Sequence, residues 1–587
     1  MLMYGDFVIS DMPLASGRFR SKVESFLAEN GLRLDPVDRY VVLTRGDSDE
    51  ILAGGGLSGD VIKCVAVSEK ARSEGLMGRL VSHLLSLAAE NGHQSVKVFT
   101  KPQNQPLFED LGFRLVGRAP KAILMENGRG VSDEYNRLCG LRMDGKAGVI
   151  VMHADPMTQG HEYLISRAAE QVDCLFVIVL GGNRSRFPAA SRFEMVRSAC
   201  RRMDNVRVLE GGAYCISGAT FPSYFLKNLD EAAEQQMRLD LDIFGRHIAP
   251  ALRASVRFAG SEPLDPMTAR YNTLMRELLP GYGLEFREIP RMESDGRPVS
   301  ASQVRALLDA GDWTAAAALC PPRVRWYLMG DVAAAALRRE LDAPDKPGMV
   351  CPDSRGSHED MDYALMRKSI DAIRPWFVRL SSLARERDAV FPSEVTGLGL
   401  EAERAMLRAT GGVNTHKGAI FALGIMAAAA GCVLRDEGTL SAESLSRQIR
   451  LLAGDMASLE TVAGRRTYGS EIVREHGVRG ALDMALDGYA DLFADWLPYW
   501  RSVEKEPYGP QKTLLRILST LDDTCVIHRA GYARAQEIKA EAAALLADFS
   551  PVKLKTMNDR FVSERVSPGG SADMLALTMY AGCLINT

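Results

Sequence analysis

The sequence has few of the features that mark proteins stabilised by disulfides or metal ions, or proteins that bind nucleic acids. Its ten cysteines form no Cys-x-x-Cys pair and are spread over 587 residues, which argues against a zinc site or a disulfide framework and favours reduced thiols. Neither sign of charge is in large excess, because the 71 Lys and Arg residues are nearly balanced by 75 Asp and Glu residues. No nucleic-acid-binding surface and no anionic-membrane surface is therefore expected. With 52 Gly and 26 Pro, the chain is also not of low complexity.

Long apolar runs are also scarce. The N-terminus has no basic-then-apolar signal segment, and the one conspicuous uncharged run covers residues 418–434 and consists mostly of Ala and Gly. A membrane-spanning helix needs ~20 strongly apolar residues, so a buried helix is predicted there. We expect a cytoplasmic protein that does not enter a membrane.

The length predicts three or four domains. The first, residues 1–140, combines strands predicted at Val61–Val67 and 96–99 with a helix at 74–91, where leucines recur at helical spacing. Residues 126–148 are polar and Gly-rich and are predicted to form a linker.

The second segment, residues 146–325, starts with a strand at 148–152, a loop at 153–160 and a helix at 161–171, followed by a strand at 174–180. This βαβ pattern predicts a parallel sheet with helices on both faces. Further strands are expected at 256–259 and 284–289. From residue 326 to 587 Ala/Leu/Arg/Glu-rich segments dominate, which predicts an all-helical domain with helices at 331–341, 401–409, 441–459 and 533–548.

The loop of the second segment ends in Thr158-Gln-Gly-His161. A strand-to-helix junction offers free N–H groups and the positive end of the helix dipole to phosphate. Gly160 permits close approach of the backbone, and His161 is a hydrogen-bond donor. A second helix start, Ser300-Ala-Ser-Gln-Val-Arg305, adds the hydroxyls of Ser300 and Ser302 and the guanidinium of Arg305 as a further anion site.

The two motifs together resemble the TxGH and ISSTxIR-like elements of the nucleotidyltransferase superfamily. With Gly218-Ala-Thr-Phe-Pro-Ser-Tyr-Phe-Leu-Lys227 and Thr268-Ala-Arg-Tyr-Asn272, the segment is similar to citrate lyase ligase, over residues 1 to about 325. This resemblance implies a Rossmann-like α/β domain of the HxGH type that activates acetate with ATP and acetylates the thiol of the citrate lyase prosthetic group.

The resemblance also implies roles for particular residues. Thr158 and His161 would stabilise the α-phosphate, while Ser300, Ser302 and Arg305 would bind the pyrophosphate and Lys227 would be a further phosphate contact. The chain departs from the family's usual Asn-Ala-Asn-Pro, because it has His153 and Asp155 at the two Asn positions.

The first domain is similar to Gcn5-type acetyltransferases, an α+β fold. Arg72-Ser-Glu-Gly75 precedes the predicted helix, and Asn104 precedes Leu107-Phe-Glu-Asp-Leu-Gly-Phe113. Met77 replaces the last small residue of the pyrophosphate-binding loop. We therefore expect a docking platform for the carrier protein's pantetheine arm rather than an independent acetyltransferase.

Four polar clusters interrupt the Ala-rich helical segment, at residues 356–362, 411–418, 522–529 and 567–573. Paired aspartates are natural ligands for Mg²⁺, and Gly-rich turns with Asn, Thr, His and Lys suit a triphosphate. The candidate metal ligands, also candidates for proton handling, are Asp360, Asp362, Asp522 and Asp523. The candidate phosphate contacts are His358, Asn414, His416, Lys417, His528, Arg529, Gly569, Gly570 and Ser571.

The clusters resemble those of triphosphoribosyl-dephospho-CoA synthase, and the similarity spans about residues 326–587. The resemblance implies attack of the 2′-hydroxyl of dephospho-CoA on the ribose carbon of ATP that bears adenine, with loss of adenine and with Mg²⁺ on the triphosphate. Gly348-Met-Val-Cys351 and Thr467-Tyr-Gly469 depart from the family's Gly-Leu-Val-Asp and Ser-His-Gly.

The resemblances of the two halves both concern the prosthetic group of citrate lyase. The favoured hypothesis is a bifunctional citrate lyase maturation enzyme that uses ATP, acetate, dephospho-CoA and the citrate lyase acyl carrier protein. One alternative is prosthetic-group synthesis for malonate decarboxylase. The other is an acetyl-CoA-dependent acetyltransferase with a nucleotide-binding module.

Overall fold

The computed structural model describes residues 2–4, 6–46, 48–182, 185–215, 229–262, 265–294, 297–386, 389–463 and 468–585. Contacts divide the chain into two compact units. The first, here called unit 1, consists of Met1–Ala154, Gly160–Ala189 and Cys200–Pro298. The second, here called unit 2, consists of Asp155–Gln159, Ala190–Ala199 and Val299–Thr587.

Unit 1 contains two large sheets. The first sheet has eight strands in the order β1-β2-β3-β4-β5-β6-β8-β7 and is antiparallel except for the parallel pair β5–β6. Its strands are β1 Leu2–Tyr4, β2 Phe7–Asp11, β3 Arg39–Arg45, β4 Ala53–Ser58, β5 Val61–Val67, β6 Val96–Thr100, β7 Arg114–Arg118 and β8 Ile123–Asn127. The helices of this part are α1 Gly17–Glu29, α2 Leu76–Glu90, α3 Gln105–Glu109 and α4 Gly130–Cys139.

The second sheet of unit 1 is parallel throughout, with the order β11-β10-β9-β12-β13. All six residues of β10 are buried, as expected for a strand that is covered on both faces. The strands are β9 Ala147–Met152, β10 Cys174–Val179, β11 Val206–Glu210, β12 Ala254–Gly260 and β13 Glu285–Ile289, followed by the hairpin β14 Glu293–Ser294 and β15 Arg297–Pro298. The helices along this stretch of the chain are α5 Gln159–Ala169, α6 Ala189–Ala199, α7 Leu229–Ile243, α8 Ala249–Leu252 and α9 Pro266–Leu278. Residues 190–199 of α6 belong to unit 2.

One helix is shared by the two sheets of unit 1. Leu239 and Ile243 of α7 belong to the core of the first sheet, whereas Met237 and Leu241 of the same helix belong to the core of the second. A linker at residues 126–148 was expected between the sheets, and that expectation is wrong. The segment contains α4, whose Leu138 is buried in the core of the second sheet, so polar composition there reflects an exposed helix face.

Unit 2 is helical from residue 301 onward. Its helices are α10 Ala301–Asp309, α11 Trp313–Ala318, α12 Arg325–Asp342, α13 Tyr363–Ser382, α14 Pro392–Thr410, α15 Lys417–Glu437, α16 Ala442–Ala463, α17 Tyr468–His476, α18 Ala481–Leu486, α19 Leu497–Val503, α20 Gly509–Thr520, α21 Thr524–Ala530, α22 Tyr532–Ala547, α23 Pro551–Glu564 and α24 Gly569–Leu584. The expected change from strands to helices near residue 326 is thus seen, and α10 and α11 lie directly before it.

The core of unit 2 is built on α12, α13, α15 and α24, which pack on one another. A Cβ on Gly330 of α12 would lie 2.3 Å from the carbonyl oxygen of Phe377, and one on Gly431 of α15 would lie 2.2 Å from that of Ser381. These two glycines therefore permit close helix crossings. Helix α15 is long and apolar enough to cross a membrane, but 83% of its most apolar window is buried inside the protein, as predicted for residues 418–434.

Candidate functional site

Each of the four polar clusters lies at the N-terminus of a helix of unit 2. Residues 356–362 precede α13, residues 411–418 open α15, residues 522–529 contain α21, and residues 567–573 open α24. The first turn of a helix has N–H groups without intrahelical partners and a partial positive charge. Helix termini of this kind can favour an anionic ligand such as a triphosphate, although the carboxylates of Asp362 and Asp523 already accept from several of the first-turn N–H groups here.

Side-chain contacts bring these four termini together. His358, ahead of α13, binds the hydroxyl of Ser567, ahead of α24, with Nε2 and Oγ 2.8 Å apart. The Nδ1 atom of His358 lies 3.5 Å from Nη2 of Arg529 on α21. Ser369 of α13 contacts Nδ1 of His416, the residue before α15, at 2.8 Å. Burial and the neighbouring guanidinium of Arg529 lower the pKa of His358, which favours its neutral form.

Asp523 connects α21 to α24. Its carboxylate accepts hydrogen bonds from the backbone of Cys525 and Val526 at 2.9 and 3.3 Å and from the backbone of Gly570 at 3.3 Å. Ser571 donates twice, from its backbone at 2.6 Å and its hydroxyl at 2.8 Å. Two carboxylate oxygens have about four lone-pair sites, so these five donors leave little capacity for a metal ion.

The other predicted aspartates differ in their surroundings. Asp362 caps α13 by accepting from the backbone of Leu365 at 2.9 Å, and it pairs with Arg355 at 3.2 Å. Asp360 is 63% exposed. Both line a cavity of about 470 Å³. Asp522 lies farther along the chain and accepts from Gln536 at 3.1 Å and from Lys539 at 2.7 Å.

The remaining phosphate-contact candidates cover a range of exposures. His416 is buried, and burial together with the charge of Lys346 lowers its pKa to about 3, so it is neutral at pH 7. Asn414 accepts from the backbone of Lys417 at 3.2 Å, and Lys417 is half-exposed and pairs with Glu403 at 3.5 Å. His528 and Arg529 are exposed on α21, and Gly569 and Gly570 are partly exposed in the first turn of α24.

Within the described residues there is no group of three or more His, Cys, Asp or Glu side chains that could hold a metal ion. Magnesium binding by the four aspartates therefore stays a prediction. Mg²⁺ commonly uses one or two protein carboxylates and completes its shell with substrate phosphates and water, and Asp360 and Asp362 at the cavity fit that requirement.

The second anion motif of the ligase segment also lies in unit 2. Ser300 caps α10, accepting from the backbone of Gln303 at 3.2 Å, and Ser302 accepts from Arg305 at 3.1 Å. Arg305 also donates to the carbonyl oxygen of Asp155 and lies 3.9 Å from its carboxylate. The contact joins this motif to the loop that carries Thr158, which is buried.

His161 lies in the first turn of α5, next to Gly160. Burial and the positive charge of Arg291 lower the pKa of His161 to about 4, so the imidazole is neutral at pH 7. Lys227 and the motif around it lie outside the described residues, as does Thr467 of the second departure. Cys351, the other departure, is buried and its backbone pairs with Ser354.

In the first sheet, the parallel strands β5 and β6 pair only at Val61–Lys97 and Ile62–Val98. The hydrogen-bonded ladder between β5 and β6 does not continue beyond those two residue pairs. Gly75 has a φ of 68° at the N-cap of α2, a left-handed conformation that suits glycine. Met77, in the first turn of α2, packs against the core on the α2 face of the sheet.

Several buried charged residues near the four helix termini were not identified from the sequence. Lys346 and Glu340 form a buried ion pair, and Arg374 binds Asp331 at 3.0 Å. Their sequence signal is weak, because each is a single charge within or beside an apolar helix. Only their common burial in the folded unit distinguishes them.

A parallel α/β sheet followed by a helical unit with converging helix N-termini is consistent with two enzymes, a ligase and a transferase, fused in one chain. Residues 147–328 match the model of the citrate lyase ligase C-terminal domain. Residues 327–587 match the model of ATP:dephospho-CoA triphosphoribosyl transferase.

Curated relatives agree with both matches. The chain is 38% identical over 317 residues to a citrate pro-3S-lyase ligase of Klebsiella pneumoniae, covering 53% of this chain and 92% of that protein. It is 36% identical over 335 residues to the corresponding ligase of Escherichia coli K12, covering 56% and 95%. It is 35% identical over 254 residues to the 2-(5″-triphosphoribosyl)-3′-dephosphocoenzyme-A synthase of Pectobacterium atrosepticum, covering 41% and 84%. The chain therefore belongs to two families, citrate lyase ligase and triphosphoribosyl-dephospho-CoA synthase.

Proposed function

We propose that this chain performs two steps of citrate lyase maturation. Its ligase part would convert acetate and ATP to acetyl-adenylate and acetylate the thiol of the acyl carrier protein's prosthetic group, releasing AMP and pyrophosphate. Its synthase part would make the prosthetic-group precursor, 2′-(5″-triphosphoribosyl)-3′-dephospho-CoA, from ATP and dephospho-CoA with release of adenine. The observation that carries the proposal is the meeting of four helix N-termini in unit 2, because this arrangement suits a triphosphate.

In the ligase part, residues of the two anion motifs would act on the phosphates of ATP. Thr158 and His161 would donate hydrogen bonds to the α-phosphate as acetate attacks, with Gly160 allowing close approach. The lowered pKa of His161 supports a neutral donor rather than a cation. Ser300, Ser302 and Arg305 would hold the departing pyrophosphate, and Lys227 is proposed as a further phosphate contact.

The first sheet would bind the pantetheine arm of the carrier protein. The incomplete pairing of β5 and β6 and the left-handed Gly75 at the start of α2 support a binding edge there. The long side chain of Met77 in the same turn disfavours a coenzyme A pyrophosphate. This domain is proposed to resemble Gcn5-type acetyltransferases in fold and to act as a platform.

In the synthase part, the triphosphate of ATP would lie against the first turns of α15, α21 and α24. His358, Lys417 and Arg529 supply polar or charged side chains around these turns. Mg²⁺, which neutralises the triphosphate when bound, would be held by Asp360 and Asp362. The proposed functional domains are residues 1–140, 146–325 and 326–587.

Product analysis with purified full-length protein tests both activities. With acetate, Mg²⁺ and a thiol-bearing citrate lyase carrier protein, ATP should yield AMP and pyrophosphate. With dephospho-CoA and Mg²⁺, ATP should yield free adenine. Thiol acetylation that requires acetyl-CoA instead of acetate and ATP would contradict the ligase proposal, and adenine released without dephospho-CoA would indicate a nucleosidase. Acceptance of the precursor only by malonate decarboxylase would favour that system.

A further inference from the structure

Asp573 is the one carboxylate of the four clusters that reaches from a buried helix to the start of α15. It lies in α24, and its carboxylate lies against the first turn of α15. A Cβ on Gly418 would stand 2.0 Å from Oδ2 of Asp573. The missing side chain at position 418 is therefore what permits this approach. Gly418 is exposed and Asp573 is partly exposed.

The surroundings of Asp573 favour its protonated form. Burial is the main cause, and the negative charges of Glu340 and Asp523 add to it, so that the pKa of Asp573 is raised well above its ordinary value. Lys346 pairs with Glu340 and donates to the carbonyl oxygen of that residue at 2.6 Å. The buried hydroxyl of Tyr489, on the segment before α19, has no hydrogen-bond partner.

The other carboxylates of the clusters are already engaged or face solvent. Asp523 accepts five hydrogen bonds from two helix starts. Asp362 caps α13 and pairs with Arg355. Asp522 is bound to Lys539 and Gln536, and Glu359 and Asp360 are mostly exposed. A carboxyl group that lies against the first turn of α15, in surroundings that favour its protonated form, is suited to donate a proton to a departing base.

We propose that Asp573 is the general acid of the adenine-releasing step, an inference that rests on the proposed synthase function. As the C1′–N9 bond of ATP breaks, its electron pair passes to the base and the proton of Asp573 passes to N7 of adenine. The 2′-hydroxyl oxygen of dephospho-CoA forms the new bond to C1′. The proton that this hydroxyl loses returns through solvent to the carboxylate of Asp573, so adenine leaves neutral and the enzyme is restored.

The test compares adenine release by full-length protein from ATP and from 8-azaadenosine 5′-triphosphate, with dephospho-CoA and Mg²⁺ present. The extra ring nitrogen stabilises the anion of the second base, which therefore departs with less help from an acid. Asp573→Asn should lower kcat with ATP by ~10²–10⁴-fold and lower it with the aza analogue by about tenfold or less. An equal loss with both nucleotides, or a loss with ATP below about tenfold, would overturn the assignment.

A second variant covers the case in which Asp573→Asn does not fold. Gly418→Ala places a Cβ against the carboxylate of Asp573 at a helical position, where Ala is a better helix former than Gly. It should lower kcat with ATP, and in the double variant it should add little to Asp573→Asn because both changes act on one group. Full additivity would contradict the proposal. Gly399→Ala in α14, where a Cβ would meet nothing within 4 Å, is the matched control and should resemble the wild type.

The outcomes separate this inference from the proposed function. A wild-type protein that releases no adenine with dephospho-CoA overturns the synthase proposal and this inference with it. A wild-type protein that does release adenine, beside an Asp573→Asn variant of similar activity, overturns the role of Asp573 alone.

Discussion

Ser571 donates two hydrogen bonds to the carboxylate of Asp523, one from its backbone at 2.6 Å and one from its hydroxyl at 2.8 Å. The same carboxylate caps α21 through the backbone of Cys525. One buried side chain thus fixes the starts of two helices relative to each other. Because the proposed triphosphate contacts lie at these starts, Asp523 would contribute to binding by fixing the two helix starts in place rather than by touching the ligand.

Asp523→Asn is expected to destabilise the helical part of the chain. The amide retains one acceptor oxygen and turns an NH₂ group toward N–H donors, so at least one buried donor loses its partner, at a cost of ~1–3 kcal/mol. The measurement is the thermal unfolding midpoint together with adenine release. Asp522→Asn is the matched control and should change stability by less than about 1 kcal/mol, because that side chain is partly exposed.

The same pair of variants tests the metal-ligand prediction. An Asp523→Asn protein with wild-type stability that needs far more Mg²⁺ for adenine release would show that Asp523 holds the metal. A destabilised protein with an unchanged Mg²⁺ requirement would support the capping role.

His161→Ala is expected to lower the rate of thiol acetylation by ~10²–10³-fold, the usual loss when one donor to a developing charge is removed. Adenine release should be unchanged in the same protein, which provides an internal control for folding. His93→Ala, between α2 and β6, is the second control and should leave both activities intact. Acetylation at a near-normal rate in His161→Ala would show that the TxGH element has another role.

The strands and helices were largely predictable where a single hydrophobic periodicity or one continuous apolar run dominates the segment. Strand β5 was predicted at its observed bounds and β10 to within one residue at one end, because apolar runs rich in β-branched residues leave a strong signal whether buried on one face, as in β5, or on both, as in β10. The 74–91 helix prediction covers α2. Segments in which polar residues cover a helix were misjudged. The polar composition of residues 126–148 predicts a linker, but Val131, Tyr135 and Leu138 of α4 recur at helical spacing and pack on the two cores of unit 1.

The motifs of the site could be identified from the sequence, but the roles of their residues could not. The four clusters were identified from composition, yet composition does not show that all four are helix N-termini that meet in space. Asp523 was predicted as a metal ligand because paired aspartates suit Mg²⁺, and only the fold shows its five hydrogen bonds. Glu340 and Lys346 were missed because their pairing depends on burial, which a local sequence pattern does not determine.

His416 is expected to make the helical part sensitive to acid. Its pKa is lowered from the ordinary 6.5 to about 3, so between these values the unfolded chain binds a proton that the folded chain does not. Stability should therefore fall as the pH drops below about 6.5, by up to ~1.4 kcal/mol per pH unit. His416→Asn removes this titration. The difference in unfolding midpoint between wild type and variant should change between pH 7 and pH 5, and parallel pH profiles would contradict the buried neutral histidine.

The N-terminal boundary of the synthase part depends on two helices that precede residue 325. Helices α10 and α11 belong to unit 2 and pack on α12, and α11 also contacts α24. Trp313 and Cys320 are buried, and a Cβ on Gly311 would lie 3.1 Å from Sγ of Cys583 and 2.8 Å from Nη1 of Arg339. A fragment that starts at residue 326 removes this packing. A fragment that starts at residue 299 retains it.

We therefore expect residues 299–587 to unfold at a higher temperature than residues 326–587, since losing one buried Trp side chain alone typically costs ~3–5 kcal/mol. Both fragments lack residues 155–159 and 190–199, so the comparison isolates α10 and α11. Both should release adenine from ATP only with dephospho-CoA, because every residue proposed for that reaction follows residue 326. Equal stability of the two fragments would place the boundary at residue 325, as the sequence predicts. AMP formation by either fragment would overturn the assignment of the ligase reaction to the preceding residues.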